Sequence, residues 1–196
     1  MNVTTHYDLL IEENNDPFRD PPILQDYMNQ WDGPLFIEAM KLNGTKRVLE
    51  IGVGTGRLAA KVLPNCLSFT GIDISPKTID RAKENLASHK NAELICSDFS
   101  QHTFHTSFDV IYSSLTMMHF EHKQLFIKKV DALLCEKGIF CLSIDKNSDE
   151  YIDMGTRKLR IFPDTLDSTI SIIKNSSMRI TNMWETEFAY ILVCTK

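Results

Sequence analysis

The sequence predicts an α/β protein built on a mainly parallel, doubly wound β-sheet. Short and almost continuously apolar runs recur along the chain, and segments with apolar residues at helical spacing lie between them. Strands of this kind are buried on both faces, which is typical of parallel sheets with helices packed on either side. Acidic residues or serines end several of the runs, at the sheet edge where such folds bind their ligands.

The predicted strands and helices alternate from residue 46 onward. The strands are RVLEI, CLSFTGID, AELICSD, FDVIYSS and GIFCLSID, and the last two runs, MRITNMWETEF and AYILVCTK, predict a hairpin. The helices are RLAAKVL, SPKTIDRAKENLASH, HKQLFIKKVDALLCEKG and PDTLDSTISIIKNSS. Ser75 and Pro76 are typical of a helix start, and Ile79, Ala82 and Leu86 then fall on one apolar face.

The N-terminal part of the chain has a different composition. Residues 1–22 contain many acids, Asn and Pro and predict an irregular lead-in, and residues 22–42 predict two short helices. The length of the chain suits one domain with a full core. We therefore expect a single domain over residues 1–196, with a helical lid segment at 1–45 and the core at 46–196.

Composition and charge limit the possible partners. The net charge of −5 and the lack of a sustained Lys/Arg cluster argue against nucleic acid. There is no apolar run of about 18 residues, and the N-terminus lacks the features of a secretory leader, so we expect no membrane partner. The five cysteines form no CxxC pair, which favours reduced thiols in the cytoplasm. We expect a cytoplasmic monomer or homodimer that acts on a small molecule.

A glycine-rich turn after the first strand carries the most specific signal. Its glycines are spaced G-x-G-x-G, whereas the dinucleotide pattern G-x-G-x-x-G has its third glycine one residue later. Glu50, two residues before the first glycine, would repel a pyrophosphate and attract an ammonium group. The start of the next helix attracts a carboxylate, so an amino-acid moiety suits the turn. Arg57, after the third glycine, is expected either to pair with that carboxylate or to face solvent.

Polar residues at three further strand ends predict the rest of the ligand. Asp73 is placed to accept hydrogen bonds from both hydroxyls of a ribose. Asp98 is placed to accept a hydrogen bond from an adenine amino group, and Phe99 to pack beside it. Ser113 and Ser114 end the fourth strand and offer small polar contacts. Together these residues describe an adenosine joined to an amino acid, as in S-adenosylmethionine.

The chain thus resembles the class I S-adenosylmethionine-dependent methyltransferases. E-x-G-x-G-x-G at 50–56, G-I-D at 71–73, S-D-F at 97–99 and F-D-V-I-Y-S-S-L-T-M-M-H-F at 108–120 follow the order of that family's motifs. The resemblance implies a three-layer, Rossmann-like sheet of seven strands in the order 3-2-1-4-5-7-6, with the last strand antiparallel. It also implies S-adenosyl-L-methionine as cofactor and S-adenosyl-L-homocysteine as product. The residues predicted to bind the cofactor in these motifs are Glu50, Gly52, Val53, Gly54, Thr55, Gly56, Asp73, Ile74, Asp98, Phe99, Ser113 and Ser114.

Aromatic residues of the N-terminal segment are candidates to cover the cofactor. Tyr7, Tyr27 and Trp31 carry the rings that would contact a sulfonium by cation–π attraction, and Tyr27 and Trp31 complete the predicted binding set. The alternative is that these two rings pack the helices on the sheet.

Methyl transfer is an in-line displacement that needs alignment and, for some acceptors, removal of a proton. His119, after the fourth strand, is the candidate catalytic base, and the alternative is a structural histidine held by hydrogen bonds. The reaction requires no nucleophilic triad and no metal, and we predict no metal site.

The acceptor is predicted to be a small molecule. Enzymes that methylate amines of nucleic-acid bases resemble one another in an N/D-P-P-Y/F motif, where this chain has SSLT. The segment KNSDEYIDMGTRKLRIFPD, within residues 145–164, is expected to form one wall of the acceptor pocket. Two alternatives stay open: a non-catalytic S-adenosylmethionine-binding regulatory module, and a nicotinamide-dependent oxidoreductase, which the glycine spacing and the lack of a Tyr-x-x-x-Lys pair disfavour.

Overall fold

The computed structural model describes residues 1–196, and its centre is a seven-stranded sheet. In chain order the strands are β1 (Arg47–Ile51), β2 (Ser68–Asp73), β3 (Ala92–Cys96), β4 (Phe108–Ser114), β5 (Leu134–Asp145), β6 (Tyr151–Asp153), β7 (Lys158–Arg160), β8 (Arg179–Glu185) and β9 (Ala189–Thr195). The helices are α1 (Val3–Glu12), α2 (Pro22–Met28), α3 (Gly33–Ala39), α4 (Ala59–Val62), α5 (Pro76–Asn85), α6 (Lys123–Leu133) and α7 (Leu166–Lys174), with short 3-10 turns at Leu63–Asn65 and Met117–His119. No helix has the length and apolar character needed to span a membrane.

The strand order of the sheet confirms the predicted topology. The order is β3-β2-β1-β4-β5-β9-β8, while β6 and β7 pair only with each other. Without that separate hairpin, the order is 3-2-1-4-5-7-6, as expected. Strands β1 to β5 are parallel, and β9 runs antiparallel to both of its neighbours. The direction of strand addition reverses between β1 and β4, so a crevice opens at their carboxyl ends.

Helices cover both faces of the sheet, which explains why its strands are almost continuously apolar. Val48 and Leu49 are both fully buried, but they belong to two different hydrophobic clusters because successive side chains of a strand point to opposite faces. Phe36 of α3 and Ile79 of α5 pack in the first cluster. Phe126 of α6 packs in the second cluster.

The start of α5 forms as the sequence predicts. The Ser75 side chain accepts a hydrogen bond from the Thr78 backbone N–H, and Pro76 lies in the first turn. Ile79, Ala82 and Leu86 are buried against the sheet. This cap matters for the site because it fixes the backbone directly after Asp73.

Three segments differ from the prediction. The expected irregular lead-in contains α1, whose first turn is capped by the Asn2 side chain accepting from the Thr5 backbone N–H. The predicted helix HKQLFIKKVDALLCEKG ends at Leu133, because β5 already begins at Leu134, which pairs with Phe108. The predicted loop between the fifth strand and the last helix contains the β6–β7 hairpin. These boundaries depend on contacts between distant segments, which local periodicity does not report.

Candidate active site

One large cavity lies at the carboxyl ends of the central strands, beneath α1. Its volume is about 620 Å³, which falls within the range typical of small-molecule sites. Most of the predicted site residues line it: Glu50, Gly52, Val53, Gly54, Thr55, Asp73, Ile74, Asp98, Phe99, Ser114 and His119. Gly56, Ser113, Tyr27 and Trp31 do not line it.

Two glycines of the turn leave the space that the cavity needs. A Cβ at Gly52 would lie 2.1 Å from Oγ1 of Thr116, so a side chain has no room there. A Cβ at Gly54 would meet no atom within 4 Å, and φ of +55° strains any residue with a side chain. Gly54 therefore keeps both an open approach for a ligand and the tight turn.

The third glycine has a packing role, contrary to the prediction that it belongs to the binding set. A Cβ at Gly56 would lie 2.9 Å from Cδ1 of Leu86, at the end of α5. Gly56 thus allows the glycine turn to approach Leu86 closely, on the side away from the cavity. The early position of this glycine still distinguishes the turn from a dinucleotide site.

Asp73 fixes the glycine turn while it faces the cavity. Its Oδ2 accepts from the Gly54 backbone N–H at 3.1 Å, and its Oδ1 accepts from the Ser75 backbone N–H at 3.0 Å. Burial raises the pKa of this carboxyl group, and the backbone hydrogen bonds oppose the rise. A carboxylate has about four acceptor positions, so roughly two remain for a ligand. At the end of the neighbouring strand, Asp98 Oδ1 accepts from the Ser100 backbone N–H at 2.7 Å.

Glu50 is buried at the end of β1, with a relative exposure of 3%. Tyr112 Oη donates a hydrogen bond to its Oε2 at 2.7 Å. Burial raises the pKa of the Glu50 carboxyl group well above its usual value, and the hydrogen bond from Tyr112 and the charge of Arg57 only partly oppose this. A buried carboxyl group of this kind favours a positively charged partner, which would lower its pKa.

Arg57 forms a buried ion pair, so the alternative that it faces solvent is wrong, and it also lines the cavity. Its guanidinium donates to both carboxylate oxygens of Asp32, whose side chain is 1% exposed. Ser114 Oγ also donates to Asp32 Oδ2, at 3.2 Å. The network ties the segment between α2 and α3 to the glycine turn and to the end of β4. Ser113 is absent from the cavity because its Oγ donates to the Ile51 backbone oxygen at 3.0 Å within the core.

Tyr7 and His119 form a polar pair on the cavity wall. Tyr7 Oη and His119 Nε2 share a hydrogen bond of 2.8 Å, and both residues line the cavity. Burial lowers the pKa of His119 to about 4, with a smaller effect of the charges of His6 and Lys123. Burial also raises the pKa of the Tyr7 phenol. At pH 7 the imidazole is therefore neutral and the phenol keeps its proton.

Helix α1 is held over the cavity by polar contacts. Asp8 Oδ1 accepts from Ser75 Oγ at 2.7 Å and from the Lys77 backbone N–H at 3.2 Å, which joins α1 to the start of α5. At the other end of α1, Arg157 of the loop between β6 and β7 donates to Glu13, with 2.6 Å between Nη2 and Oε2. The contacts place Tyr7 against His119.

The two aromatic residues predicted for the binding set lie elsewhere. The Trp31 ring packs on Phe188, with 4.6 Å between ring centroids, and Tyr27 lies 5.0 Å from Trp31. This cluster joins α2 to the turn between β8 and β9, and Tyr27 is half exposed. These contacts fit the alternative interpretation, in which both rings pack the N-terminal helices against the rest of the protein. Tyr7 is the candidate ring that does line the cavity.

Other lining residues differ from the sequence-based expectation. The segment 145–164 was expected to form an acceptor wall, but none of its residues lines the cavity. The cavity is lined instead by α6 and the segment before it, through Phe120, Leu125 and Phe126. An apolar residue on a helix predicts burial in a core equally well, so the sequence carried no signal for these contacts. Leu115 also lines the cavity, with φ of +53°, directly after β4.

Comparisons with known proteins agree with this fold. Residues 49–142 match the family model described as "Methyltransferase domain". Malonyl-[acyl-carrier protein] O-methyltransferase 2 of Ilyobacter polytropus is 28% identical over 120 residues, which are 60% of this chain and 46% of that protein. The corresponding enzyme of Priestia megaterium is 33% identical over 99 residues, 49% of this chain and 35% of that protein. The chain spans about half the length, or less, of these curated relatives.

Solved structures share the whole fold. N-methyltransferase NodS from Bradyrhizobium japonicum WM9, in complex with S-adenosyl-L-homocysteine, has a TM-score of 0.76 at 18% identity, over 100% of this chain and 99% of that chain. The [4+2]-cyclase SpnF has a TM-score of 0.78 at 16% identity, over 99% and 95%. At these identities the likeness concerns the fold. Residues 49–142 therefore match a methyltransferase domain, and the chain has the fold of the class I S-adenosylmethionine-dependent methyltransferases.

Proposed function

We propose that the protein transfers a methyl group from S-adenosyl-L-methionine to a small-molecule acceptor. The observation that carries this proposal is the cavity at the switch point of the sheet, where Glu50, Asp73 and Asp98 come from the ends of three adjacent strands and Gly54 leaves the backbone open. When bound, the cofactor supplies an activated methyl group on a sulfonium. The residues present fit such a molecule because they offer acceptors to its amino and hydroxyl groups.

Each residue has a proposed task in binding. Glu50 would pair with the amino group of the methionine part, because its buried carboxyl group lacks a positively charged partner at hydrogen-bond distance. Asp73 would use its remaining acceptor positions for the ribose hydroxyls, and Asp98 would accept from the adenine amino group. Thr55 and Gly54 would contact the methionine part beside the turn. Phe99 would pack near the base.

The part of the cavity lined by Tyr7, His119 and Leu125 is proposed as the acceptor site. A binding-only regulatory module would need no such space, so this open region supports an enzyme. His119 is proposed to contact the acceptor, and its neutral form at pH 7 is the form that accepts a hydrogen bond or a proton. The proteins named above include a malonyl-[acyl-carrier protein] O-methyltransferase and an N-methyltransferase. Their names differ in the atom that is methylated, so the acceptor class of this chain needs its own argument.

We also propose a cellular compartment, a domain organisation and an oligomeric state for the protein. All five cysteines are free thiols, three of them buried, which supports a reducing compartment such as the cytoplasm. We keep the single domain over residues 1–196, with residues 1–45 as a lid, and a monomer or homodimer as its state. Analytical ultracentrifugation would separate the two oligomeric states.

The test of the function uses two ligands and one reaction. Calorimetry should detect binding of S-adenosyl-L-homocysteine and none of NADH. Incubation with methyl-labelled S-adenosyl-L-methionine and pools of small metabolites should transfer label to an acceptor. Binding of NADH alone would refute the proposal. Binding of S-adenosyl-L-homocysteine without transfer to any pool would favour the regulatory module.

A further inference from the structure

The side chains around the cavity have an excess of negative charge. Two cationic side chains line the cavity, Arg57 and Lys129, and its histidines are His119 and His122. The acids that line it are Glu50, Asp73, Asp98 and Glu121.

Both cations are already engaged by the protein. The Arg57 guanidinium is paired with Asp32 through its two terminal nitrogens, Nη1 and Nη2. Lys129 Nζ donates to the backbone oxygens of His102 and Ser100, at 2.5 and 3.2 Å, and lies 5.0 Å from the centre of the Phe99 ring. An anionic acceptor would therefore enter a cavity lined by more acids than cations, in which both cations already have partners within the protein. Such an anion would lose its hydration without gaining an unpaired cation as a partner.

Apolar residues and one uncharged polar pair lie in the same lining, beside polar residues such as Thr116 and Glu121. Leu115, Phe120 and Leu125 are among the apolar residues, and the pair is Tyr7 and His119. The Tyr7–His119 pair is uncharged at pH 7, so it supplies hydrogen bonds without a countercharge for an anion. His119, with a pKa of about 4, is also a weak base, and an alcohol needs a stronger one before it attacks.

We propose that the methyl acceptor is an amine carried on an apolar or aromatic group, and not a carboxylate or an alcohol. The proposal rests on the proposed function and names the substrate class of the same site. The amine enters as an ammonium ion at pH 7 and first gives one proton to water. The neutral nitrogen then uses its lone pair to form the bond to the methyl carbon. The electron pair of the broken carbon–sulfur bond stays on sulfur, which becomes a neutral thioether. The product leaves as an ammonium ion, so one positive charge moves from sulfur to nitrogen and remains among the cavity's carboxylates.

The charge balance separates the three classes of acceptor. With an amine, the ammonium ion loses its proton to water before attack, and the transfer step itself then keeps one positive charge in the cavity before and after. With a carboxylate, the anion must first enter a negative cavity. With an alcohol, a proton must leave before or during attack. The base available on this wall is the neutral imidazole of His119, which shares a hydrogen bond with the Tyr7 hydroxyl.

The experiment compares three probes that share a ring and differ in charge: benzylamine, benzyl alcohol and benzoate. Calorimetry on the protein saturated with S-adenosyl-L-homocysteine should show benzylamine binding at least tenfold more tightly than benzoate. Methyl-labelled cofactor should then label benzylamine alone. The variant Glu121→Gln should reduce the preference for benzylamine over benzoate at least twofold. Glu136→Gln removes the same charge from an exposed position at the opposite edge of the sheet and should leave the preference unchanged.

The outcomes are distinct. Tighter binding or methylation of benzoate or benzyl alcohol would overturn the amine assignment while leaving the methyltransferase proposal in place. Failure of all three probes on protein that binds S-adenosyl-L-homocysteine would also overturn it. Failure to bind S-adenosyl-L-homocysteine would instead count against the proposed function itself.

Discussion

Asp73 serves two purposes with one carboxylate, since it fixes the glycine turn and also faces the cavity. The substitution Asp73→Asn keeps one acceptor for the backbone but removes the charge from the proposed hydrogen bonds to ribose. We expect binding of S-adenosyl-L-homocysteine to weaken by at least about 1.4 kcal/mol, a factor of ten in Kd. Calorimetry measures this change, and Asp80→Asn, at an exposed position of α5, should leave Kd unaltered. An unchanged Kd in Asp73→Asn would refute the ribose assignment.

The lowered pKa of His119 predicts how the free energy of unfolding changes with pH. Its pKa in the folded protein, about 4, lies below its unfolded value of 6.5. Folding therefore favours the neutral form of His119. The resulting contribution to the free energy of unfolding is present above pH 6.5 and is lost as the pH falls toward 4, because the unfolded chain takes up the proton first. The loss amounts to about 3 kcal/mol, on the order of 1.4 kcal/mol per pKa unit. Urea unfolding of His119→Asn should show a free energy that falls less between pH 6.5 and 4 than that of the wild type.

The control for this measurement is His105→Asn, because His105 is exposed. Its unfolding free energy should follow the wild-type curve over the same pH range. If His119→Asn and the wild type lose stability equally on acidification, His119 does not carry the proton uptake that we assign to it.

At the scale of elements, α1 depends on a few polar contacts more than on packing. His6 is its one buried residue, whereas Asp8 makes two hydrogen bonds to the start of α5. Asp8→Ala should therefore loosen the lid, with faster hydrogen exchange over residues 3–12 and dissociation of S-adenosyl-L-homocysteine accelerated several-fold. Glu12→Gln on the same helix breaks only an exposed ion pair with Lys77, which contributes little, and should change neither rate. Equal effects of the two variants would argue against Asp8 as the anchor.

The elements also show where the sequence was sufficient and where it was not. The parallel strands and α5 were predictable because burial on two faces and the Ser75 cap leave local patterns. Helix α1 was not, since Asn and Pro on its C-terminal side indicate a loop and its apolar face is weak. The pairing of Arg57 with Asp32 joins residues 25 positions apart, and no local pattern reports it. Tyr7 and Trp31 give the same aromatic signal, and only the path of the chain places one in the cavity and the other on Phe188.

At the scale of the whole molecule, the fold gathers carboxyl groups from three strands at one edge of the sheet. The chain already carries a net charge of −5, and burial raises the pKa of Glu50 and of Asp73. A ligand with an ammonium group and a sulfonium should therefore bind together with the loss of protons from these groups. Added salt screens the attraction between these carboxylates and a cationic ligand, so binding should weaken as the salt concentration rises.

Proton release on ligand binding can be tested at Glu50. Because burial raises its pKa in the free protein, its protonated form, which cannot pair with an ammonium group, persists to higher pH than that of an exposed glutamate. Affinity for S-adenosyl-L-homocysteine should rise with pH through the free-protein pKa of Glu50 and then level off, with proton release on binding. Calorimetry in two buffers of different ionisation enthalpy measures the released protons. Glu50→Gln should bind more weakly and release fewer protons, whereas equal proton release in both proteins would show that the ammonium group does not meet Glu50.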